Sequence, residues 1–422
     1  MGFSGEAGAS EPAVRRTTTP IGGAHSRRAS EWDKRRGRDG SRAASTNVQG
    51  FRGTSGKGFV ERARRHDGGA PNSGAAMSLA PRRVTNPPNP WASRHVDWLD
   101  EPPPVQLEVF EEQARSVLST NDSPDLPFRY SLNPYRGCQH ACAYCYARPT
   151  HQYLELGAGS DFDSKIVVKL NAAQVLRREL SGSRWRAGRG WIAFSGVTDC
   201  YQPLEASYEI TRACLEACDE FRHPVGVITK SALVRRDAAL LARMAARGGA
   251  HVSVSIPFAD EADSRAIEPW ASSPATRFET LRRLSEAGVP TGVAIAPLIP
   301  GLNDSAVAEI LTRAREAGAT RAFMMLLRLP AEVAPVFEER LRASHPLRAE
   351  KVLSALREMR GGVLYEASFG RRMSGAGPRW AAVEQLFELQ CRRLGYEAHV
   401  ERLEPLRPDP TPRATQRGLF DD

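Results

Sequence analysis

From residue 128 onward the chain repeats one pattern: a short run rich in Val, Ile, Phe and Ala, then a stretch whose apolar residues recur at helical spacing. Runs stand at 191–196, 225–229, 252–258, 291–299 and 322–329, ahead of helical patterns at 207–221, 235–247, 276–287, 305–317 and 332–360. A helix between successive strands carries the chain back to the same end of the sheet, so this repeat predicts an α/β fold with a parallel sheet. With a first strand at 128–135 and a helix at 172–180 there are six β/α units. Eight would close a barrel, and six leave it open. Reactive groups in such folds collect where strands end and βα loops begin.

The first of those loops carries Cys138, Cys142 and Cys145 in the spacing C-x3-C-x2-C. Three thiolates so close can share one metal centre. In a [4Fe–4S] cluster each iron takes one ligand, so three cysteines leave the fourth iron open to a small molecule. The plainer alternative is a zinc knuckle closed by His140 or His151, since Cys3His sites use similar spacings. Zinc ribbons and fingers supply ligands as two separated pairs, and no second pair follows here. Tyr144, just before the third cysteine, is also unnecessary for zinc.

The pattern C-x3-C-x-aromatic-C resembles the cluster loop of the radical S-adenosylmethionine (SAM) enzymes. The resemblance implies a partial (β/α)6 TIM-like barrel, which the periodicity permits. It also implies a [4Fe–4S] cluster on Cys138, Cys142 and Cys145, with SAM chelated at the open iron and cleaved on reduction to a 5′-deoxyadenosyl radical. Tyr144 and Tyr146 would then line the site. Thr198 and Asp199, at the second strand end, suit the SAM amino group or ribose. Lys230, after the third strand, would neutralise the SAM carboxylate; otherwise it is an ordinary exposed lysine. Ser253 and Ser255 alternate onto one face of the fourth strand, and Val293 and Ile295 offer an apolar wall for adenine. A small electron-donor protein such as flavodoxin or ferredoxin is the expected reductant.

Over about 127–395 the order of elements, including Glu268-Pro269 and Ala296-Pro297, is similar to spore photoproduct lyase and its uncharacterised radical SAM relatives. Asn133-Pro-Tyr-Arg-Gly-Cys138, Ala147-Arg-Pro-Thr-His151 and Tyr201-Gln-Pro-Leu-Glu205 look more like the uncharacterised relatives. The lyase donates hydrogen from a cysteine whose aligned place here is Gly196; Cys200 is the candidate substitute. Cys214, Cys218 and Cys391 read as small apolar side chains. The resemblance points to damaged DNA as substrate. The alternatives are radical modification of a protein or metabolite, or a non-catalytic, zinc-stabilised nucleic-acid-binding protein.

Charge is unevenly placed. Residues 1–90 hold 16 Lys/Arg against 7 Asp/Glu, while the remainder holds 42 of each. A disordered basic leader and Pro-rich arm over 1–104, with Trp91 and Trp98 as anchors, is therefore expected ahead of a barrel at 105–360. Five glycines between 361 and 377 and a helix at 380–394 suggest a lid or C-terminal extension over 361–400, then a mobile tail at 401–422. In that tail Gln416, Leu419 and Phe420 resemble the short peptide that docks bacterial repair proteins on the polymerase sliding clamp. No apolar run approaches a membrane span, and residues 1–30 lack a signal-peptide core. The expected place is the cytoplasm, where seven cysteines need form no disulfide framework.

Overall fold

The structure is a computed structural model that describes residues 107–182 and 190–397. The leader, the Pro-rich arm with Trp91 and Trp98, and the tail with Gln416, Leu419 and Phe420 lie outside the described residues. The strands are β1 (Glu108–Glu112), β2 (Leu118–Thr120), β3 (Tyr130–Leu132), β4 (Tyr135–Arg136), β5 (Lys165–Lys169), β6 (Ile192–Phe194), β7 (Val225–Thr229), β8 (Ala250–Ser255), β9 (Thr291–Leu298) and β10 (Arg321–Leu326). The α-helices are α1 (Ser160–Ser164), α2 (Ala172–Ser181), α3 (Glu205–Tyr208), α4 (Ile210–Glu220), α5 (Ala238–Ala245), α6 (Glu261–Ile267), α7 (Pro274–Glu286), α8 (Val307–Glu316), α9 (Val333–Ser344), α10 (Ala349–Met359) and α11 (Gly377–Leu394).

Strands β3, β6, β7, β8, β9 and β10 pair in parallel, each beside the next in chain order. That is the six-unit wall read from the sequence. Strand β2 adds antiparallel to β3, so the sheet runs from β10 to β2 without closing. The strands read as near-continuous apolar runs because both faces are covered: Val227, Val252, Val254, Val293 and Ile295 are fully buried. Helix α8 shows how the outer layer holds on. Its buried residues Val307, Ile310, Leu311 and Ala314 fall at i, i+3, i+4 and i+7, one apolar stripe facing the sheet. Each Val, Ile or Leu so buried contributes roughly 1.5–3 kcal/mol relative to exposure.

Three local features depart from the sequence pattern. The helix expected over 207–221 is broken at Glu209, whose φ is +52°. Helix α4 restarts there because the Glu205 carboxylate accepts from the Thr211 and Arg212 amides, filling the place of an N-cap. A short helix, α6, precedes α7, opened by Asp260 accepting from the Asp263 amide at 2.8 Å. A second, three-stranded sheet of order β1-β5-β4 lies outside the repeat, with β1 parallel to β5. Among the described residues no helix is long and apolar enough to cross a membrane.

The extension after α10 divides into two parts. Helix α11 packs on α8 and α10, and Tyr396 behind it donates to the Leu311 carbonyl at 2.6 Å. The loop before it, 361–376, bridges the open side of the wall. On the β10 side the Leu326 amide donates to the Met373 carbonyl at 3.1 Å. On the β2–β3 side Asp125 accepts from the Gly370 amide at 2.6 Å and from Arg372 Nε at 2.6 Å.

Candidate metal centre and active-site mouth

The cysteine loop begins where β4 ends, and its first turn requires glycine. Gly137 has φ +78°, and a Cβ there would stand 2.8 Å from His151 Cε1 and 2.9 Å from both Ile166 Cδ1 and the Phe162 carbonyl. Arg148 then fixes the loop from within. Its side chain is 1% exposed. Nε and Nη2 donate to the Cys142 carbonyl at 3.2 and 2.9 Å, Nη1 donates to the Ala158 and Gly159 carbonyls, and Nη2 pairs with Asp163 at 2.9 Å. A planar fork of five donors does this; lysine could not.

The neighbouring βα loops grip the same segment. Gln202 accepts from the Gln139 amide at 3.0 Å and donates to the Gly137 carbonyl at 3.2 Å, while Gln139 Oε1 accepts from the Leu204 amide at 2.8 Å. Tyr135 donates to Glu205 at 2.5 Å, and Arg236 holds the other Glu205 oxygen at 2.6 Å. Asn133 Oδ1 accepts from the Val197 and Thr198 amides. On the other side the Ala143 amide donates to the Ile267 carbonyl at 3.0 Å, and Tyr144 donates to Glu268. Glu268 is paired with Arg277 at 2.5 Å, and both side chains are essentially unexposed. The three quoted motifs are thus largely the frame of the cysteine loop. Glu268 was visible in the sequence only as a resemblance; the roles of Arg148 and Arg277 had no sequence signal.

Of the residues expected to contact SAM, Thr198, Asp199 and Lys230 follow the ends of β6 and β7, while Ser253 and Ser255 lie on β8 and Ile295 within β9. Lys230 Nζ stands 5.6 Å from the Tyr144 ring centroid. Burial would lower its pKa, but Cys142 and Glu268 outweigh that and raise it, so the side chain is a cation. Tyr146 donates to the Gly196 carbonyl at 2.6 Å. Thr198 donates to the Tyr135 carbonyl at 3.1 Å. Ser253 and Ser255 are buried on β8, and Ile295 is fully buried on β9.

Asp199 is already surrounded by protein donors: the Tyr201 amide at 2.9 Å, the Thr229 hydroxyl at 2.8 Å, the Lys230 amide at 2.8 Å and His140 Nδ1 at 3.3 Å. Burial would raise its carboxyl, but His140 and those amides bring it to about 2. It ties β6, β7 and the cysteine loop together. Cys200 is not at the mouth. Its side chain is 0% exposed within the core cluster that includes Tyr135 and Cys214. A hydrogen donor must touch the substrate radical, and this thiol touches the core.

The donor set fits an iron–sulfur cluster. Burial pushes all three thiols up, Cys142 to about 12 even with the Lys230 cation near it, so the free thiols are protonated near neutrality; coordination to iron reverses that preference. Among the described residues no three His, Cys, Asp or Glu side chains converge on a single-ion site. Cysteines on separate irons of a cluster need not converge so closely. Of the histidines offered for zinc, His140 faces Asp199 through Nδ1, while His151 donates through Nε2 to the Lys165 carbonyl at 2.8 Å and keeps a buried Nδ1 without a partner.

Residues 132–314 match the Radical SAM superfamily. An uncharacterised protein of Mycobacterium tuberculosis is 37% identical over 236 residues, covering 56% of this chain and 68% of the relative. An uncharacterised protein of Methanocaldococcus jannaschii is 30% identical over 199 residues, covering 47% of this chain and 71% of the relative. Among solved structures, spore photoproduct lyase complexed with dinucleoside spore photoproduct is 17% identical with a TM-score of 0.49, covering 68% of this chain and 79% of that chain. The chain belongs to the radical SAM superfamily, whose cofactors are a [4Fe–4S] cluster and S-adenosylmethionine.

Proposed function

We propose that Cys138, Cys142 and Cys145 bind three irons of a [4Fe–4S] cluster, leaving one iron for the amino and carboxylate groups of SAM. The observation that carries this reading is the loop itself: three thiols on one segment, Cys138 and Cys142 buried and Cys145 half-buried, fixed by Arg148 and Glu268 beside the cationic Lys230. When bound and reduced, the cluster supplies the electron that cleaves SAM to methionine and a 5′-deoxyadenosyl radical. The chain's own residues bind, orient and enclose. Lys230 neutralises the SAM carboxylate, Thr198, Ser253 and Ser255 hydrogen-bond its polar groups, and Ile295 backs the adenine. Tyr144 and Tyr146 border the site, and Asp199 acts by holding Lys230 and His140 in place.

The substrate we infer is nucleic acid, a damaged or modified base, on the support of the motif resemblance and the basic leader. A flavodoxin- or ferredoxin-like protein in the cytoplasm would supply the electron. The reading is tested by anaerobic reconstitution, iron and sulfide analysis, and paramagnetic resonance of the reduced protein with and without SAM. About four irons per chain, lost in Cys142→Ala, with a signal that shifts when SAM is added, are expected. Stoichiometric zinc with no iron would overturn it.

A further inference from the structure

Two residues beyond β10, Arg328 sits at the mouth with its charge unmatched among the described residues. The residue is 6% exposed, yet its Nε has no partner. Its other contacts are distant for hydrogen bonds: Nη1 to Met373 Sδ at 3.8 Å and Nη2 to the Tyr365 hydroxyl at 3.5 Å. No carboxylate among the described residues pairs with it. The nearby Asp125 is committed to Arg372 at 2.6 Å, and Arg360 donates to the Leu327 carbonyl at 2.7 Å. The Arg328 guanidinium lies 5.9 Å from the ring centroid of Tyr146, on the cysteine loop, and 6.0 Å from that of Tyr365. A buried guanidinium with an open donor fork is costly unless an oxyanion completes it.

The loop that carries Tyr365 adds the rest of a rim. Phe369 is 54% exposed and lies against Arg372, whose guanidinium is 4.5 Å from its ring centroid. Arg371 beside it is exposed and pairs with Glu366 at 3.4 Å. An arginine with open donors, Arg328, near the half-buried Tyr365 and the exposed Phe369 suits a single strand of nucleic acid, with phosphate on guanidinium and base on ring. A barrel mouth admits a base only when it is out of its stack.

We propose that Arg328 and the loop 361–376 form a substrate rim for single-stranded nucleic acid, in which Arg328 takes a backbone phosphate and Phe369 stacks on a base. This rests on the nucleic-acid reading of the same mouth, but its test does not depend on radical chemistry. Full-length reconstituted protein is titrated into labelled single-stranded oligothymidylate, and anisotropy is followed at several salt concentrations. Arg328→Met should weaken binding about ten- to a hundredfold and flatten the log–log salt slope by about 0.7. Its melting temperature should hold or rise, because an unpaired buried cation is removed. Phe369→Ala should weaken binding about fivefold or more.

Unchanged affinity and slope in Arg328→Met would overturn the inference. So would a lowered melting temperature with unchanged slope, or failure of both Arg328→Met and Arg328→Lys to fold, each of which marks a structural arginine. Equal displacement of the probe by polyglutamate would make the site a carboxylate site, and equal affinity for duplex would remove the single-strand assignment. Iron content measured on the same samples separates these outcomes from loss of the cluster.

Discussion

Replacing Arg277 by methionine should damage the frame of the cysteine loop in a calculable way. Its side chain is 1% exposed and donates to the Ser272 carbonyl at 2.7 Å, to the Ser255 carbonyl at 3.0 Å and to Glu268 at 2.5 Å. Arg277→Met leaves the Glu268 carboxylate buried, hydrogen-bonded only to the Tyr144 phenol and Ser264, with Lys230 as the remaining cation near it. Breaking a buried ion pair by removing one partner costs about 3–5 kcal/mol, a large share of a total stability of about 5–15 kcal/mol. With a urea slope of about 3 kcal/mol/M, the midpoint should fall by about 1–1.7 M. Glu268→Leu alone strands the guanidinium at similar cost. The double variant, with neither charge, should recover most of the loss. The assay is urea denaturation of the four proteins at neutral pH. A single variant within about 0.5 kcal/mol of wild type, or a double variant whose losses simply add, would refute the reasoning.

Gly137→Ala places a Cβ against His151, Ile166 and the Phe162 carbonyl at φ +78°; it should cost about 1–3 kcal/mol and lower iron incorporation, read by thermal melting and iron analysis. His251 titrates in the folded state at about 4, because burial and the nearby Arg321 disfavour its cation. Its unfolded value is about 6.5, so its contribution to stability is complete above that pH and lost as pH falls toward 4. That amounts to at most roughly 3 kcal/mol, and His251→Gln should flatten the acid limb of a urea-midpoint profile; an unaltered limb would contradict it. If the terminal peptide docks on the sliding clamp, Leu419→Ala with Phe420→Ala should abolish pull-down of purified clamp, and equal recovery by wild type and variant would remove that proposal.

Much of the wall was legible because its signal is local. The runs at 225–229 and 291–299 coincide with β7 and β9 to within a residue at either end, since both faces are buried and every residue is apolar or small. What escaped depends on partners distant in sequence. Nothing in Tyr208-Glu209-Ile210 marks a break, which exists because the Glu205 carboxylate can cap a new helix there. Strand β1 becomes a strand only by pairing with β5, across the first parallel strand and the whole cysteine loop. At the site the cysteines were legible by spacing alone. Arg148, Arg277 and Arg328 were not, because an arginine declares its role through burial and partners. Cys200 shows the converse: a suggestive position in the sequence, and a side chain that the fold turns into the core.

The central claim, that Cys138, Cys142 and Cys145 support reductive cleavage of SAM at this mouth, has one direct measurement. Anaerobically reconstituted wild type and Cys142→Ala are reduced with dithionite in the presence of SAM, and 5′-deoxyadenosine is quantified by chromatography. The account predicts deoxyadenosine from wild type and none above background from the variant. Equal yields from both, or none from a wild type that holds its full iron, would contradict it.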